Sequence, residues 1–199
     1  MRDLMDVEKL TDEKWLNLYR VRWTEEDGTP REWIFASRQE QYGIKISPST
    51  RKADAVIIVP IMPDIKHSGD DRLVITKEFR APIADYEYGF PAGLIDKNES
   101  PLVAAIRELK EETGLEAISI PKLSPVVFSS VGMTDESVQY AFVYCRGSVS
   151  SKYLDDGEDI EAAAYTIEEL RELMIKPLHW SAKAWPFINN CIQQNRICF

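Results

Sequence analysis

Three glutamates, Glu108, Glu111 and Glu112, stand at helical spacing in the segment IRELKEETGL. Residues three and four positions apart lie on one face of a helix, because successive residues are rotated by about 100°. Like charges at this spacing destabilise an isolated helix by about 0.2–0.5 kcal/mol per pair, so the cluster favours a counter-charge. Hard divalent cations prefer oxygen ligands and can bridge carboxylates to phosphates. The spacing therefore predicts a divalent-metal site suited to an anionic substrate.

The helix that carries these glutamates has clear boundary signals. Ser100 is a good N-cap, Pro101 suits the first helical position, and Gly114 stands just past the end. These residues predict a helix from about Pro101 to Glu112. An apolar face is expected to anchor it to a sheet through Leu102, Ala105, Ile106 and Leu109.

Arg107, which directly precedes Glu108, has two candidate partners. It can pair with Glu99 across the loop–helix junction, or with Glu111 four residues later. Either pair would orient the acidic face without neutralising all of it. Gly93 begins the loop, where glycine permits backbone angles closed to other residues.

The remaining elements predict a mixed α/β sandwich. Two further helices are expected, one after Thr166 with Glu169 completing a capping box, and one within 181–194 whose start Pro186 leaves open. The polar stretch 38–54 suits a linker. Apolar and alternating patterns predict an N-terminal β-hairpin from 15–23 and 31–37, and strands at 55–62, 73–79, 118–128 and 138–145.

Composition limits the classes of function. The net charge of −9 argues against binding long nucleic acid through phosphate neutralisation. The longest apolar run, Ala55–Met62, is too short to span a bilayer, and the first ten residues lack the apolar stretch of a signal peptide. We therefore expect a soluble, cytoplasmic protein without nucleic-acid or membrane partners. No disulfide framework is expected from the three scattered cysteines, Cys145, Cys191 and Cys198.

Runs such as RELKEE usually form a solvated helix face, but here they belong to a longer pattern. The segment 93–115 matches G-x5-E-x7-R-E-U-x-E-E-x-G-U, with U a bulky aliphatic residue, at every specified position. This pattern resembles the signature of the Nudix hydrolase family. The resemblance implies a Nudix α/β/α sandwich in which Glu108, Glu111 and Glu112 hold Mg²⁺, with Mn²⁺ as an alternative, and take part in catalysis. Ala92 maps onto a position that often offers its carbonyl to the metal. The implied reaction is attack of a metal-activated water on one phosphorus of a diphosphate.

The segments KEFRAP (77–82) and FPAGLID (90–96) resemble the ADP-ribose pyrophosphatase branch of this family. In that branch two tryptophans sandwich the adenine, and Trp15 and Trp33 occupy the matching positions; ordinary packing is the alternative for each. The branch exchanges its N-terminal hairpins between subunits, which implies a homodimer. We accordingly expect a base-stacking, dimerising region at 1–50 and a Nudix hydrolase domain at 51–199.

The resemblance also implies further substrate contacts. Their alternatives are surface salt bridges for the arginines and a plain connecting loop for the segment FSSVGMTDES (128–137). The residues implied in substrate binding, in addition to the two tryptophans, are Arg38, Arg80, Leu94, Met133 and Glu136.

Relatives carry a catalytic glutamate on a mobile loop that matches DDGEDIEA (155–162). Glu158 aligns best as the general base, with Glu161 as the alternate. One departure concerns the position before FPAG, where relatives have a glutamate and this chain has Gly89. Glu87 lies on the same face of a strand, and whether it substitutes is left open. The lone histidines, His67 and His179, are expected at the surface or in the core.

These observations predict a hydrolase that converts ADP-ribose to AMP and ribose 5-phosphate. A second hypothesis is hydrolysis of another nucleoside-diphosphate sugar, such as GDP-mannose, or of an oxidised nucleotide, because base stacking does not choose between bases. A third, from a different class, is a non-catalytic module that binds ADP-ribose. The presence of all three acidic residues of the helix argues against the third.

Overall fold

The computed structural model describes residues 4–41, 43–46, 51–64 and 71–197. His67, Cys198 and most of the turn expected between the strands at 55–62 and 73–79 lie outside these residues. The chain forms two compact units, and each is described by itself. The first contains the residues up to Asp54 together with 126–138, and the second contains 55–125 and the residues from 139 onward.

The first unit is built on a three-stranded antiparallel sheet of β1 (Leu4–Lys9), β2 (Asn17–Thr24) and β3 (Pro30–Ser37), in that order. The predicted hairpin is formed by β2 and β3, whereas β1 was not expected, because its charged sequence lacks a clear strand pattern. The segment 126–138 adds β9 (Val127–Phe128), which pairs with the first two residues of β10 (Ser137–Arg146).

The stretch 38–54 is not a linker over its described part. Ile44 is buried in a small core with Tyr19 and Phe35. The Lys45 ammonium lies 2.9 Å from Asp54 Oδ1, and both side chains are almost completely buried. Asp54 also accepts hydrogen bonds from the Gln39 side chain (2.7 Å) and from the Ser137 amide (2.9 Å). A buried, multiply bonded ion pair fixes this stretch within the first unit.

The second unit is a mixed sheet with three helices. Its strand order is β12-β6-β5-β4-β10-β8, with β7 also on β4 and β11 also on β5. The parallel pair β12–β6 makes the sheet mixed. The strands are β4 (Ala55–Met62), β5 (Arg72–Arg80), β6 (Asp85–Gly89), β7 (Ala92–Leu94), β8 (Glu116–Leu123), β11 (Ile160–Tyr165) and β12 (His179–Trp180). The helices are α1 (Pro101–Thr113), α2 (Ile167–Met174) and α3 (Trp185–Gln194), besides a 3₁₀ turn at Ala81–Ile83.

The helices cover both faces of this sheet. On one face Leu109 of α1 packs in a buried cluster with Val74 and Val143. On the other face the Phe187 ring of α3 lies 6.0 Å from the ring of Phe142, which is the neighbour of Val143 and so points the opposite way. The expected α/β/α sandwich is confirmed. In the described part of the chain, no helix is long and apolar enough to cross a membrane.

The boundary signals of the helices are confirmed. The Ser100 hydroxyl accepts the Val103 amide at 3.3 Å, and Gly114 ends α1 in the left-handed conformation. Both bonds of the expected capping box join Thr166 and Glu169. The predicted apolar face of α1 is wrong in part: Leu102 and Ile106 are about half exposed, and the buried positions are Ala104, Ala105, Leu109, Glu112 and Thr113.

Several short strands were missed or merged. The strand predicted over 118–128 is two strands, β8 and β9, because the chain is interrupted at Ser124 and Pro125. Strands β6, β7 and β12 are short or polar, and β11 is rich in alanine, which has a low strand propensity; none of the four was predicted. His179 lies on exposed β12 with its Nε2 3.2 Å from an Asp85 oxygen, so it is a surface residue.

Replacing Lys45 by Met should lower the free energy of unfolding by about 3–5 kcal/mol, because the substitution leaves the buried Asp54 carboxylate without a cation. Urea denaturation followed by tryptophan fluorescence measures the loss. The matched control is Lys52→Met, an exposed lysine nearby, which should change stability by at most about 0.5 kcal/mol. Equal losses in the two variants would show that the buried pair does not stabilise this unit.

Candidate active site

Glu112 is a buried carboxyl group in the last turn of α1. Only 6% of the residue is exposed. Its Oε2 accepts a 3.2 Å hydrogen bond from the amide of Ala92 on β7. Burial, together with the neighbouring charges of Glu108 and Glu78, raises the pKa of Glu112 to about 9, and the hydrogen bond from the Ala92 amide opposes this rise. A cation beside Glu112 would therefore favour its charged form.

Glu108 lies one turn earlier and closely approaches the loop before α1. A Cβ added at Gly93 would fall 1.9 Å from the Glu108 carboxyl carbon, so only glycine leaves room for this carboxyl group. Burial raises the pKa of Glu108, the Arg107 guanidinium opposes this, and the charges of Glu111 and Glu158 add to it. The first glycine of the sequence pattern is thus explained by a contact with the first glutamate of the cluster.

Arg107 connects the loop to the acidic face of α1. Its Nε and Nη2 donate to the two oxygens of Glu99 at 3.1 and 2.9 Å. Its Nη1 donates to Glu108 at 2.7 Å and to Glu111 at 3.0 Å, and Nη2 also reaches the Leu94 carbonyl at 3.0 Å. Both pairings considered from the sequence are therefore present, together with one to Glu108. The hydrogen bonds from Arg107 lower the pKa of Glu99, against its desolvation.

Glu78 on β5 is a carboxylate of the site that sequence reasoning missed. It faces the same side of the sheet as Val74, four residues earlier, which packs against α1. Burial raises the pKa of Glu78; Arg80 opposes this, and Glu158 and Glu87 reinforce it. The available signal was its place two residues before Arg80 in KEFRAP, on the same strand face.

Arg80 is held by two carboxylates. Its Nη2 lies 2.7 Å from Glu78 Oε2, and its Nε lies 3.6 Å from Glu87 Oε2. Glu87 is the direct cross-strand partner of Glu78 in the β5–β6 register, so the two share a face. Gly89 pairs with Thr76 one step along. A phosphate group that bound Arg80 would compete with these ion pairs.

The two candidate bases lie in different surroundings. Glu158 is exposed and accepts a hydrogen bond from the Asp155 amide at 3.1 Å. Its negative charge contributes to the raised pKa of Glu78, Glu108 and Glu112. Glu161 pairs with Lys77 at 3.2 Å, and Lys77 points away from the face that carries Glu78. The structure therefore brings Glu158, and not the carboxylate of Glu161, to the acidic cluster.

The two predicted base-stacking residues are exposed in the first unit. Trp15 is 71% exposed, with the Lys14 ammonium 4.3 Å from its ring centroid. Trp33 is 51% exposed, and its indole nitrogen donates to the Gly132 carbonyl at 3.2 Å. A cavity of about 470 Å³ lies beside Trp33. Its other lining residues are Val21, Phe35, Ile44, Lys45, Ile46, Arg51, Phe128, Val131, Thr134 and Asp135.

The other predicted substrate contacts are also accessible. Arg38 and Leu94 are exposed, and Met133 is 73% exposed. The Ser129 hydroxyl donates to Glu136 at 2.6 Å, which closes the base of the loop between them. Arg38, Met133 and Glu136 belong to the first unit, and Leu94 to the second. Their contacts with substrate stay predictions.

The acidic cluster fits a hard cation by the chemistry of its donors. Within the described ranges, no three His, Cys, Asp or Glu side chains converge as a complete ligand set, and Arg107 instead holds Glu108 and Glu111 together. Glu112, however, is a buried carboxyl group with a hydrogen bond from one amide and carboxyl neighbours that oppose its ionisation. Such a group is ionised at neutral pH only if a positive partner lies beside it.

Comparisons with known proteins agree with this geometry. The NUDIX domain family matches residues 51–188. An uncharacterised Nudix hydrolase of Schizosaccharomyces pombe is 33% identical over 166 residues, which are 81% of this chain and 76% of the relative. An ADP-ribose pyrophosphatase of Saccharomyces cerevisiae is 31% identical over 175 residues, 85% of this chain and 72% of the relative. An ADP-sugar pyrophosphatase of Mus musculus is 30% identical over 147 residues, which cover 73% of this chain and 63% of the relative.

The fold is likewise found among solved structures. The crystal structure of an ADP compounds hydrolase superposes with a TM-score of 0.72 and covers 98% of this chain and 97% of its own, at 21% identity. These matches agree with the complete glycine–glutamate–arginine pattern and with the sandwich that places it. The chain therefore belongs to the Nudix hydrolase family.

Proposed function

We propose that the protein hydrolyses the diphosphate bond of an ADP-sugar, with ADP-ribose giving AMP and ribose 5-phosphate. The observation that carries the proposal is the buried, uncompensated Glu112 beside Glu108 on the Nudix helix. The substrate class is supported by relatives named ADP-ribose pyrophosphatase and ADP-sugar pyrophosphatase, which this chain matches over most of its length.

We further propose Mg²⁺, with Mn²⁺ as a substitute, as the divalent ion that Nudix hydrolases generally need. Glu108, Glu111 and Glu112, with the Ala92 carbonyl, are the residues that would hold it. A bound divalent ion supplies charge neutralisation at the diphosphate and activation of water as a nucleophile. Arg107 orients the carboxylates of Glu108 and Glu111 through bonds of 2.7 and 3.0 Å.

Glu158 is the proposed general base. Its carboxylate is exposed on a loop, and its charge acts on Glu108 and Glu112. A general base must reach the attacking water, and a loop residue can do so when substrate closes the site.

Arg80 is the proposed diphosphate contact, because its guanidinium fork matches phosphate oxygens.

We also propose a homodimer, and the separation of the two tryptophans along the chain supports it. Trp33 pairs with Val21 in the β2–β3 register. Val21 is six residues after Trp15 in the sequence. Trp15 lies in a bend before β2, so this separation is at most about 20 Å, at about 3.3 Å per extended residue. A sandwiched base needs one ring on each of its faces, and we propose that the two rings of one sandwich come from different chains. The region 1–50 would then supply one tryptophan to each of two sites, as the exchange of hairpins requires.

Two other activities are distinguished by substrate. Stacking on tryptophan tolerates different bases, so GDP-mannose or an oxidised nucleotide is the second candidate. A non-catalytic ADP-ribose-binding module would bind without turnover. We also propose a cytoplasmic location, on the basis of the acidic composition and the scattered cysteines.

A Mg²⁺-dependent hydrolysis screen over ADP-ribose, ADP-glucose, GDP-mannose and 8-oxo-dGDP, with products separated by chromatography, tests the function. We expect ADP-ribose to be cut fastest, with AMP as a product. Faster cleavage of GDP-mannose or 8-oxo-dGDP would refute the substrate and keep the Nudix chemistry. Binding of ADP-ribose without cleavage at any metal concentration would support the binding module.

Glu158→Gln should lower kcat for ADP-ribose by about 10²–10⁴-fold, because general-base catalysis typically contributes that much. Glu161→Gln is the matched control, since its carboxylate pairs with Lys77 on the other face, and it should keep kcat within about twofold. Steady-state kinetics of the two variants decide between them. A loss confined to Glu161→Gln would reverse the assignment.

Trp33→Ala should raise KM for ADP-ribose by about five- to a hundredfold with a smaller effect on kcat, because base stacking on an aromatic ring contributes about 1–3 kcal/mol. Trp23→Ala removes a partly buried indole that donates to Glu25, just past the end of β2, and serves as the control. An unchanged KM in Trp33→Ala would make Trp33 a packing residue.

Glu112→Gln should stabilise the metal-free protein at about pH 8 while cutting turnover by orders of magnitude. Because the folded-state pKa of about 9 exceeds the ordinary 4.5, the folded protein holds a proton that the unfolded chain releases between these values. The free energy of unfolding therefore falls as pH rises through this window. Melting in EDTA should show Tm at least about 2–4 °C above wild type at pH 8, with the gap closing near pH 5. A lower Tm for the variant at pH 8 would contradict the assignment of an uncompensated charge.

A further inference from the structure

We propose that Tyr86 on β6 is a positioning residue for Glu158, and that it acts through Asp159, the next residue along the chain. The Tyr86 hydroxyl donates a 2.7 Å hydrogen bond to Asp159 Oδ2. A bond of this length from a hydroxyl to a carboxylate is charge-assisted. The inference rests on the proposed function, because it concerns the loop that carries the proposed general base.

The Tyr86 ring is held in place by contacts that do not involve its hydroxyl. Phe79, its cross-strand partner on β5, meets it edge to face with ring centroids 5.8 Å apart. The Lys77 ammonium lies 4.2 Å from the centroid of the same ring, and it also pairs with Glu161 of β11 at 3.2 Å. The hydroxyl is therefore a donor whose position is already set, and little conformational freedom is lost when it binds Asp159.

Asp159 ends the loop 147–159 and is bonded through both its backbone and its side chain. Its carbonyl accepts a hydrogen bond from the Phe79 amide at 3.1 Å, which continues the β11–β5 pairing one residue beyond Ile160. Tyr86 belongs to β6, on the other edge of β5 from β11, so its bond to the Asp159 side chain joins the outer two of three neighbouring strands.

The alternation of side chains along an extended chain relates Asp159 to the direction of Glu158. On β11, Ala162 and Ala164 pack against the buried cluster that contains Leu109 of α1. Even-numbered residues of this strand therefore face α1, and odd-numbered residues face away from it. Continued to the end of the loop, this alternation directs Glu158 to the face that α1 covers. Holding Asp159 on the far face thus fixes the direction in which Glu158 leaves the strand.

The other end of the loop is attached to α1. The Ser150 amide donates to the Thr113 carbonyl at 2.9 Å. The Lys110 ammonium lies 4.6 Å from the centroid of the Tyr153 ring. The stretch between the two attachments is therefore only 154–158.

Glu158 itself closes a local turn within this short stretch. Its amide donates to the Asp155 carbonyl at 3.2 Å, and its Oε2 accepts from the Asp155 amide at 3.1 Å. Gly157 has a φ of 97°, a conformation that favours glycine. To act on a water, the carboxylate has to exchange its bond to Asp155 while Asp159 stays in place. The Tyr86 bond thus holds the residue about which Glu158 turns.

Steady-state kinetics of Tyr86→Phe test the inference, because this substitution removes the hydroxyl and keeps the ring. We expect kcat to fall by about 5–100-fold with KM within about twofold of wild type, since a small misplacement of a catalytic group can cost about a hundredfold. Tyr88→Phe is the matched control. It removes the hydroxyl of the next tyrosine on the same face of β6, beside Trp180, and should keep kcat within about twofold.

Two further variants distinguish positioning from general damage to the fold. In the Glu158→Gln background, Tyr86→Phe should lower kcat by less than about twofold, because the group that it positions is already lost. Asp159→Asn keeps an oxygen acceptor for the Tyr86 hydroxyl, so it should lose less kcat than Asp159→Ala. Melting curves establish that every variant is folded. Wild-type kcat in Tyr86→Phe, or an equal loss with and without Glu158→Gln, would overturn the role of Tyr86.

These outcomes are separate from the substrate proposal, since the kinetics use the compound of the screen that wild type cleaves fastest. If that compound is GDP-mannose, the ADP-ribose assignment falls, and the same kcat ratios still decide on Tyr86. Wild-type kcat in Glu158→Gln would overturn the general base and the Tyr86 inference together, and would leave the substrate standing. Absence of cleavage of every compound by wild type would overturn both proposals.

Discussion

The guanidinium of Arg107 joins the loop and the helix of the acidic site, and the arrangement of the site depends on it. Its donors reach both oxygens of Glu99, the carboxylates of Glu108 and Glu111, and the Leu94 carbonyl. A planar fork with several fixed donors can make these bonds at once, whereas a lysine presents a single charged centre. Arg107 thus spaces two carboxylates on α1 and ties them to the loop that follows β7.

In the described part of the chain, Arg107 pairs with Glu108 and Glu111, and no ion pair joins Glu112 to a cation. Glu112 lies deeper than Glu108 or Glu111 and shares its surroundings with Glu78 and Glu158. Burying such a group disfavours the charged form, so the metal-free protein gives up stability at neutral pH to keep the group in place. Strain of this kind is expected where a ligand supplies the missing charge, and it links the fold to divalent-ion binding.

The sequence predicted those features that depend on local chemistry. The ends of α1 follow from Ser100, Pro101 and Gly114, and the start of α2 from the Thr166–Glu169 capping box, because caps involve residues close in the chain. The pairing of Arg107 with Glu99 was also accessible, since Glu99 lies in the loop directly before α1 and Arg107 lies within α1.

Features that depend on strand register could not be predicted from one sequence. The place of Glu78, opposite Glu87 and beside Arg80, appears only when β5 is paired with β6. The exposure of Leu102 and Ile106 depends on how α1 rests on the sheet, since burying Glu112 and Thr113 turns those two residues outward. Similarly, the choice of Glu158 over Glu161 depends on which face of β5 carries Lys77.

The most direct test of the account is an anomalous difference map from a crystal of the protein grown with Mn²⁺. The account predicts a peak in contact with the carboxylates of Glu112 and Glu108, at the end of α1 nearest β7. A peak bound elsewhere, with Glu112 contacting only protein atoms, would contradict it, because the buried carboxyl group would then have no cation to offset its charge.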